Sequence, residues 1–442
     1  MMPSIAQRLI NTGRGSSRRA QIIRGVTGVG GLKLLFLALT LGTSILLARA
    51  LGPDGFGQYA FITSLLIVLA LPLDQGMRQL ITREVASYAH QNQWSLFRGL
   101  LQRAHQWVLL GAALIILILG GIAVSRAEWR PDDRWTLLLA GLAMLPFLGL
   151  NALRGATLAG LGNVVKAQIP ELLVRPGMHL AIAALLLAGG RLNPASAIIS
   201  QTAAAVIAFA VGIVLLRKHW PAQVQAVSPA YRNSAWASSW APFTLLAAAS
   251  MLNSQIGILL LGWVGTDAQV AALRIADRGA QLVAMSLMVV NLVIGPHITR
   301  AYRDRDQPRL QRLCTQSARA ALAVALPIAL PLILFSGPII AYVFGTAYVE
   351  LASRPLAVLA AAQVINVAFG SAGMFLIMSG YERDTLIGQI AALILNIATA
   401  YLLIPSYGAD GAAYAAALGL ATWNVVLAFK VVQRLKLRPG AF

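Results

Sequence analysis

The sequence predicts an all-α integral membrane protein, with twelve transmembrane helices in two six-helix lobes around a central cationic cavity. The 442 residues are 58% hydrophobic and 11% charged, and the mean hydropathy is +0.72. Apolar stretches of about 20 residues recur along the chain, the length that a helix needs to cross a bilayer core of about 30 Å. The alternating segments of about 10 residues that are typical of a membrane β-barrel do not occur. Helices are therefore the elements that satisfy the backbone in lipid.

Apolar windows along the chain define twelve candidate spans. Short links rich in Gly and Pro join three pairs of consecutive spans. These are spans 1 and 2, spans 9 and 10, and spans 11 and 12. Two such links are "LGPDGFGQ" and "PSYGADG". The predicted spans are 26–48, 56–80, 106–125, 135–153, 170–189, 195–216, 241–264, 271–295, 320–344, 355–379, 385–404 and 411–430.

The distribution of Lys and Arg predicts the orientation of these spans. With the N-terminus in the cytoplasm, 25 of the 35 Lys and Arg residues fall in segments on the inner side and 6 on the outer side; the other four lie within spans. Lys and Arg accumulate in cytoplasmic loops of membrane proteins. We therefore expect both termini to be cytoplasmic, as an even number of spans requires.

The longest predicted cytoplasmic links divide the chain into two similar parts. They are residues 81–105, 217–240 and 296–319, and the second of them separates an N-terminal lobe, residues 1–216, from a C-terminal lobe, residues 241–442. The tripeptide "ITR" recurs after the second span of each lobe, at Ile81–Arg83 and Ile298–Arg300. Parallel repeats with an even number of spans are related by an axis along the membrane normal, and such an architecture places a cavity between them.

Charged residues within or at the ends of the spans are the strongest functional signal. Each charge at the bilayer centre costs about 2.5–3.5 kcal/mol, so these side chains should face the bundle interior or water. Several are three or four residues apart and can pair on their own helix. Five are basic and three are acidic, and Arg49 adds a sixth base. The eight are Lys33, Asp74, Arg78, Glu171, Arg175, Arg274, Asp277 and Arg278.

Because pairing cannot neutralise the surplus bases, we interpret them as the lining of a water-filled cavity for an anionic substrate. Arg and Lys are the usual phosphate ligands in proteins. An alternative is that the pairs neutralise themselves near helix ends while their long side chains reach the interface. That alternative suits Arg78 and Glu171 better than Lys33, which has no acid nearby. The amides within spans, such as Gln389 and Asn396, are expected to form hydrogen bonds between helices.

Other classes of function lack their motifs. No phosphate-binding loop, nucleophile elbow or zinc-protease motif occurs, and the external links are too short for a catalytic domain. Cys314 is the only cysteine, and the five histidines show no ligand spacing, so we expect no metal site and no cofactor. The twin-arginine stretch "SSRRAQII" and the "ARA" at Ala48–Ala50 resemble export and cleavage signals. We interpret both as accidental, and the net charge of +20 as loop charge rather than a nucleic-acid surface.

Four stretches of the sequence resemble the polysaccharide flippases, the O-antigen-type branch of the multidrug/oligosaccharidyl-lipid/polysaccharide exporter superfamily. Each stretch is loosely defined alone, and their order along both halves is more specific. They are "LARALGPDGFGQYAF" (Leu47–Phe61), "AALRIADR" (Ala271–Arg278), the region from Val343 to Leu386, and "IPSYGADGAA" (Ile404–Ala413).

The resemblance implies a flippase that works by alternating access in a bacterial cytoplasmic (inner) membrane. Its substrate would be an undecaprenyl-pyrophosphate-linked oligosaccharide, such as a lipopolysaccharide or exopolysaccharide repeat unit, moved from the cytoplasmic to the periplasmic leaflet. The family's cationic cavity maps onto Lys33, Arg49, Arg78, Arg175, Arg274 and Arg278, with Asp74, Glu171 and Asp277 as residues that orient these charges or couple transport to an ion. The expected partners are the lipid-linked glycan, membrane lipids and polysaccharide polymerase or export machinery, with the chain itself a monomer.

Two competing functions remain open at this point. A cation-coupled multidrug exporter of the same superfamily would need an acid in the membrane, yet the first predicted span contains Lys33 and no Asp or Glu. A membrane enzyme such as a sugar polymerase or ligase would need a large periplasmic loop. The sign of the charge in the cavity distinguishes the flippase from the exporter.

Overall fold

The protein is helical throughout the part that the structure describes. The structure is a computed structural model that describes residues 18–126, 128–130 and 133–441, with the side chains of residues 18–27, 241–243 and 246 left out. Within those ranges every regular element is a helix and no strand occurs. The predicted all-α class is therefore confirmed. The N-terminal residues 1–17, which the sequence assigns to the cytoplasm, lie outside the described residues.

Eight α-helices form the N-terminal half of the described chain. A π-helical turn, Pro170–Val174, joins the sixth helix to the seventh without a break. The helices are α1 (Arg18–Leu69), α2 (Gln75–His90), α3 (Trp94–Arg126), α4 (Arg134–Leu142), α5 (Leu145–Gly160), α6 (Val164–Ile169), α7 (Arg175–Ala188) and α8 (Pro194–Arg217).

Seven further α-helices form the C-terminal half of the described chain. Short 3₁₀ turns, Ala222–Val224 and Thr346–Tyr348, precede the ninth and thirteenth helices. The helices are α9 (Asn233–Val264), α10 (Asp267–Arg303), α11 (Gln307–Leu334), α12 (Ser336–Val343), α13 (Val349–Phe369), α14 (Ala372–Met378) and α15 (Glu382–Leu435).

Ten helical segments of the described chain are long and apolar enough to cross a membrane, and two of them contain two spans each. Helices α1 and α15 have 52 and 54 residues, which at 1.5 Å per residue corresponds to about 80 Å, more than twice the bilayer core. Each helix is interrupted at a glycine with a positive φ, Gly52 at 69° and Gly408 at 53°. Dividing α1 and α15 at these glycines gives twelve segments, the number of spans that the sequence predicts. The predicted spans 56–80, 320–344 and 355–379 are each interrupted, because α1, α11 and α13 end at Leu69, Leu334 and Phe369.

The connection between α8 and α9 packs closely on the N-terminal helices. The backbone N–H of Ala230 donates to the carbonyl of Ser95 at 2.9 Å, and Arg98 donates to the carbonyl of Val227 at 2.7 Å. Helix α9 begins at Asn233, inside the predicted link 217–240. The link 217–240 is therefore packed against α3. The division into lobes at residues 1–216 and 241–442 stays a prediction.

The two halves meet mainly where α10 packs against α1 and α9 packs against α2. The backbones approach closely at Gly57, where an added Cβ would lie 1.8 Å from the carbonyl oxygen of Asp267. Polar contacts join the halves at this same end. Arg134 pairs with Asp267 at 2.7 Å, and the Tyr348 hydroxyl donates to the carbonyl of Ala48 at 2.7 Å. We call these contacts, together with those of Arg49 described below, the outer latch, because the predicted orientation assigns this end to the outer side.

The turn at Gly52 makes a direct prediction about stability. With φ 69° and ψ −179°, Gly52 occupies a region that is essentially restricted to glycine and costs other residues about 1–3 kcal/mol. We expect Gly52→Ala to lower the free energy of unfolding by that amount. The measurement is the thermal unfolding midpoint of the purified protein in detergent. Gly31→Ala is the matched control, because an added Cβ there has no atom within 4 Å and alanine favours a helix; equal midpoints for the two variants would contradict the prediction.

Candidate functional site

A cavity of about 740 Å³ lies between the two halves. Its walls come from α1, α2, α5, the α6–α7 segment, α8, α9 and α10. The lining is unusually polar for the interior of a membrane protein. Its charged and amide residues are Lys33, Asp74, Gln75, Arg78, Gln168, Glu171, Arg175, Gln201, Gln255, Arg274, Arg278 and Gln281.

Helical spacing explains how these side chains reach one cavity. On the first half of α1 the lining residues include Lys33, Phe36, Thr40, Thr43 and Leu47, which are three or four residues apart and so share one face. The same spacing continues through the second half of α1, the turn that follows it and the start of α2. The lining residues there include Phe56, Tyr59, Thr63, Ile67, Ala70, Asp74 and Arg78.

Seven of the nine sequence-predicted site residues line this cavity. The five bases are Lys33, Arg78, Arg175, Arg274 and Arg278, and the two acids are Asp74 and Glu171. The lining therefore has a surplus of positive charge. The two remaining candidates, Arg49 and Asp277, lie elsewhere.

Arg49 does not line the cavity. Its Nε donates to the carbonyl of Val343 at 2.8 Å, and a terminal nitrogen donates to the carbonyl of Tyr342. These carbonyls are at the C-terminal end of α12, where a cation is favourable. The structure thus places Arg49 in the outer latch between the halves, and the expectation that it shares the cavity with the other bases is corrected. The sequence could not reveal this, because the partners are almost 300 residues away.

Asp277 lines a second, smaller cavity inside the C-terminal half. The expected direct contact with its neighbouring arginines is replaced by a relay through an amide. Gln281 Nε2 donates to the Asp277 carboxylate at 2.8 Å, while Gln281 Oε1 accepts from Arg278 at 3.0 Å. Asp277 therefore orients Arg278 through Gln281.

Two of the five bases are neutralised on their own helix. Arg78 pairs with Asp74 at 2.9 Å, and Arg175 pairs with Glu171 at 3.4 Å. Both pairs have the i, i+4 spacing read from the sequence. Glu171 lies in the π-helical turn Pro170–Val174, a distortion that is frequent at functional sites. The pairs are thus self-neutralising and line the cavity at the same time.

The other three bases form no ion pair among the described residues. Arg274 is 6% exposed and donates to the carbonyl of Ala60 and the hydroxyl of Ser64, which crosses the boundary between the halves. Arg278 donates to Gln281. Lys33 has no described hydrogen bond or ion pair. A mobile anion in the cavity would supply the missing negative charge.

Several lining residues were not singled out from the sequence. Tyr59 donates to Gln201 Oε1 at 3.2 Å, and its ring lies 6.1 Å from that of His179. Gln255 and Gln281 also face the cavity. Spacing could have found two of them, because steps of three or four residues lead from Asp74 back to Tyr59 and from Arg278 to Gln281. Gln201 and Gln255 lie on helices that contain none of the charged candidates.

Four buried polar atoms of the lining have no hydrogen-bond partner among the described residues. They are Glu171 Oε1, His179 Nε2, Gln255 Oε1 and Arg278 Nε. Buried polar groups normally find partners, so these atoms are available to a ligand or to solvent. No group of three or more His, Cys, Asp or Glu residues in the described chain could hold a metal ion. The arrangement can bind a polar anion.

Comparison with known protein families gives two matches along the chain. The model of the polysaccharide biosynthesis protein family matches residues 23–302, and the MatE model matches residues 242–402. A curated relative, the probable low-salt glycan biosynthesis flippase Agl15 of Haloferax volcanii, is 23% identical over 417 residues. The match covers 92% of this chain and 82% of that protein.

Solved structures share the same fold. The lipid II flippase MurJ in an inward closed conformation superposes with a TM-score of 0.72 at 13% identity, covering 92% of this chain and 87% of that chain. A multidrug resistance MATE family transporter of the MOP superfamily, in an inward-facing conformation, gives 0.75 at 14% identity and covers 98% of both chains. These likenesses bear out the predicted twelve-helix, two-lobe architecture.

The geometry of the cavity predicts anion binding. We expect inorganic pyrophosphate to bind the purified protein, and we expect Arg278→Gln and Arg274→Gln each to weaken binding about 10- to 100-fold, because a hydrogen bond to a charged group contributes about 1.5–3 kcal/mol. Isothermal titration calorimetry provides the measurement. Arg49→Gln is the matched control, since it removes an arginine outside the cavity, and equal losses in all three variants would refute an anion site at Arg274 and Arg278.

Proposed function

We propose a function from the premise that this chain belongs to the polysaccharide biosynthesis protein family. It is a multi-pass membrane protein with a cationic cavity between its halves. We infer that it is a flippase that moves an undecaprenyl-pyrophosphate-linked oligosaccharide from the cytoplasmic to the periplasmic leaflet. The single observation that carries this proposal is that three cavity bases form no ion pair in the described chain. They are Lys33, Arg274 and Arg278.

The chemistry of the head group fits this set of bases. Pyrophosphate is a compact anion, and Arg recognises phosphate oxygens through a planar fork of donors while Lys acts as a point charge. In our proposal Arg274 and Arg278 hold the pyrophosphate and Lys33 lies on its path. In the same proposal Asp74 and Glu171 orient Arg78 and Arg175, and Asp277 orients Arg278 through Gln281.

The contacts between the halves at one end of the protein support transport by alternating access. The outer latch joins the halves through Arg49, Arg134 and Tyr348. The loops that contain these residues are the ones that the positive-inside rule assigns to the outer side. In the proposed cycle the head group enters from the cytoplasmic leaflet, its lipid tail stays in the bilayer, and the latch breaks as the lobes rock.

A membrane potential would drive the proposed direction of transport. Moving a negative charge outward across an inside-negative membrane is favourable by about 2.3 kcal/mol per charge for each 100 mV. A head group with about two negative charges would gain twice that amount. The membrane potential could thus supply the free energy for transport without an ion-coupling site.

A cation-coupled multidrug exporter is the second candidate, because the MatE model matches residues 242–402 and a MATE transporter shares the fold. The charges of the cavity favour the flippase. Both lining acids, Asp74 and Glu171, are already paired with arginine. A cationic drug would therefore meet surplus positive charge and no free carboxylate among the described lining residues.

The remaining features of the function are also proposals. We infer a bacterial cytoplasmic (inner) membrane location with both termini on the cytoplasmic side, from the distribution of Lys and Arg. The protein would act as a monomeric transporter rather than as an enzyme. Polysaccharide polymerase and export machinery would receive its product.

Flipping of an undecaprenyl-pyrophosphate oligosaccharide in proteoliposomes tests the proposal. We expect transport by the wild type, a faster rate with an inside-negative potential, and a loss of at least tenfold in Arg278→Gln, whose charge would contact the pyrophosphate. Arg303→Gln is the control, since Arg303 lies at the exposed end of α10. Export of a cationic dye by the wild type, without flipping of the lipid, would support the multidrug exporter instead.

The outer latch gives a second expectation. Arg134→Gln removes an ion pair of 2.7 Å with Asp267 and a hydrogen bond to the carbonyl of Gly262. We expect this variant to favour the outward-open state, so pyrophosphate binding should persist while the outer end becomes more accessible. Hydrogen exchange of the α9–α10 loop is the measurement. Unchanged exchange in Arg134→Gln would show that this pair does not hold the outer end closed.

A further inference from the structure

A second cavity, of about 270 Å³, lies inside the C-terminal half and is enclosed by α9, α10, α13 and α15. Helices α9 and α10 form the wall between it and the cationic cavity. Adjacent residues face opposite sides of this wall, because Asp277 lines the small cavity and Arg278 lines the large one. The small cavity is lined by different residues, without the bases of the large cavity. Its presence is therefore not explained by anion binding.

Amide side chains dominate the polar lining of the small cavity. Asn396 is 2% exposed, and its Nδ2 donates to Asn253 Oδ1 at 2.9 Å. The other amide atom, Asn396 Oδ1, is buried without a partner. Gln363 Oε1 accepts from Asn366 at 3.0 Å, and its Nε2 has no described partner. The cavity thus contains a hydrogen-bond acceptor without a partner, Asn396 Oδ1, and a hydrogen-bond donor without a described partner, Gln363 Nε2.

An aromatic surface lies beside these amides. Trp423 lines the same cavity, and its indole packs on two glycines. An added Cβ would lie 3.4 Å from Cε3 at Gly388 and 3.7 Å from Cζ2 at Gly373. The two glycines leave room for the large ring at this position.

We propose that the small cavity binds one neutral sugar ring. Sugar hydroxyls donate and accept, as the amides of Asn253, Gln363, Gln389 and Asn396 do, and the apolar face of a pyranose packs on an aromatic ring such as Trp423. The volume lies just below the range of about 300–1,000 Å³ for drug-sized ligands, so it suits a single ring. This inference rests on the proposed function and names a glycan subsite for it.

A bound cation is the less favourable occupant. Asp277 is the only carboxylate of this lining, and it already accepts a hydrogen bond from Gln281. Hard cations are bound by several oxygen ligands, whereas half of each amide here is a donor. The cavity is also much larger than a single ion.

The ring could belong to the lipid-linked glycan or to a free sugar. The relay Arg278–Gln281–Asp277 crosses the wall between the cavities. If the ring belongs to the glycan, its pyrophosphate would occupy the large cavity while the sugar contacts the amides. Both sources share the same chemistry at the small cavity.

Saturation-transfer difference NMR with methyl glycosides of hexoses and N-acetylhexosamines, on the full chain in nanodiscs, tests the site. We expect at least one glycoside to bind the wild type and to bind about tenfold more weakly to Asn396→Ala and to Gln363→Met. Asn424→Ala is the matched control, because Asn424 is a buried amide of the same helix as Asn396 that donates to its own backbone at Leu420. Equal binding by all variants would overturn the inference.

Further arms of the experiment separate the remaining outcomes. Pyrophosphate binding without glycoside binding would overturn the sugar site and leave the proposed function standing, whereas loss of both would count against the flippase as well. Thermal stabilisation by Na⁺ that Asp277→Asn abolishes, with no glycoside bound, would establish a cation site instead. Competition by the lipid-linked glycan, but not by the sugar-free lipid pyrophosphate, would assign the ring to the transported substrate.

Discussion

Surplus positive charge inside an apolar bundle is the constraint on which the rest of the structure depends. An unneutralised cation among membrane helices is costly, and the described part of this chain keeps three cations without an ion pair around one cavity. Arg274, the most deeply buried, is held by the Ala60 carbonyl and the Ser64 hydroxyl. Those contacts come from the opposite half of the protein, so the charge and the boundary between the lobes stabilise each other.

Helix α10 connects the two cavities of the molecule. Arg274 and Arg278 face the large cavity, and Asp277 faces the small one, because successive residues of a helix point in different directions. Gln281 then joins Arg278 to Asp277 by two hydrogen bonds. A single amide therefore connects a charged residue of the large cavity with a charged residue of the small one.

Local spacing made part of the site readable from the sequence. The pairs Asp74–Arg78 and Glu171–Arg175 have the i, i+4 separation that brings side chains together on a helix, and the structure contains both ion pairs. The same reasoning, continued from Lys33 in steps of three and four, leads to Thr40 and Thr43. Arg49 could not be placed in this way, because its partners lie on α12, far away in the chain, and no helical period connects them.

The sequence by itself determined the membrane class, the number of spans and the surplus of embedded bases, because hydropathy, segment length and local spacing are properties of short windows. It also indicated where the long helices turn, since Gly52 and Gly408 lie in links rich in Gly and Pro. Only the tertiary structure decided which bases share a cavity, that Asp277 faces away from them, and that the amides of α13 and α15 enclose a pocket with Trp423. Those facts depend on how α9, α10, α13 and α15 pack against one another. Packing between helices that are far apart in the chain depends on the surfaces of both partners, so the residues of a single helix do not determine it.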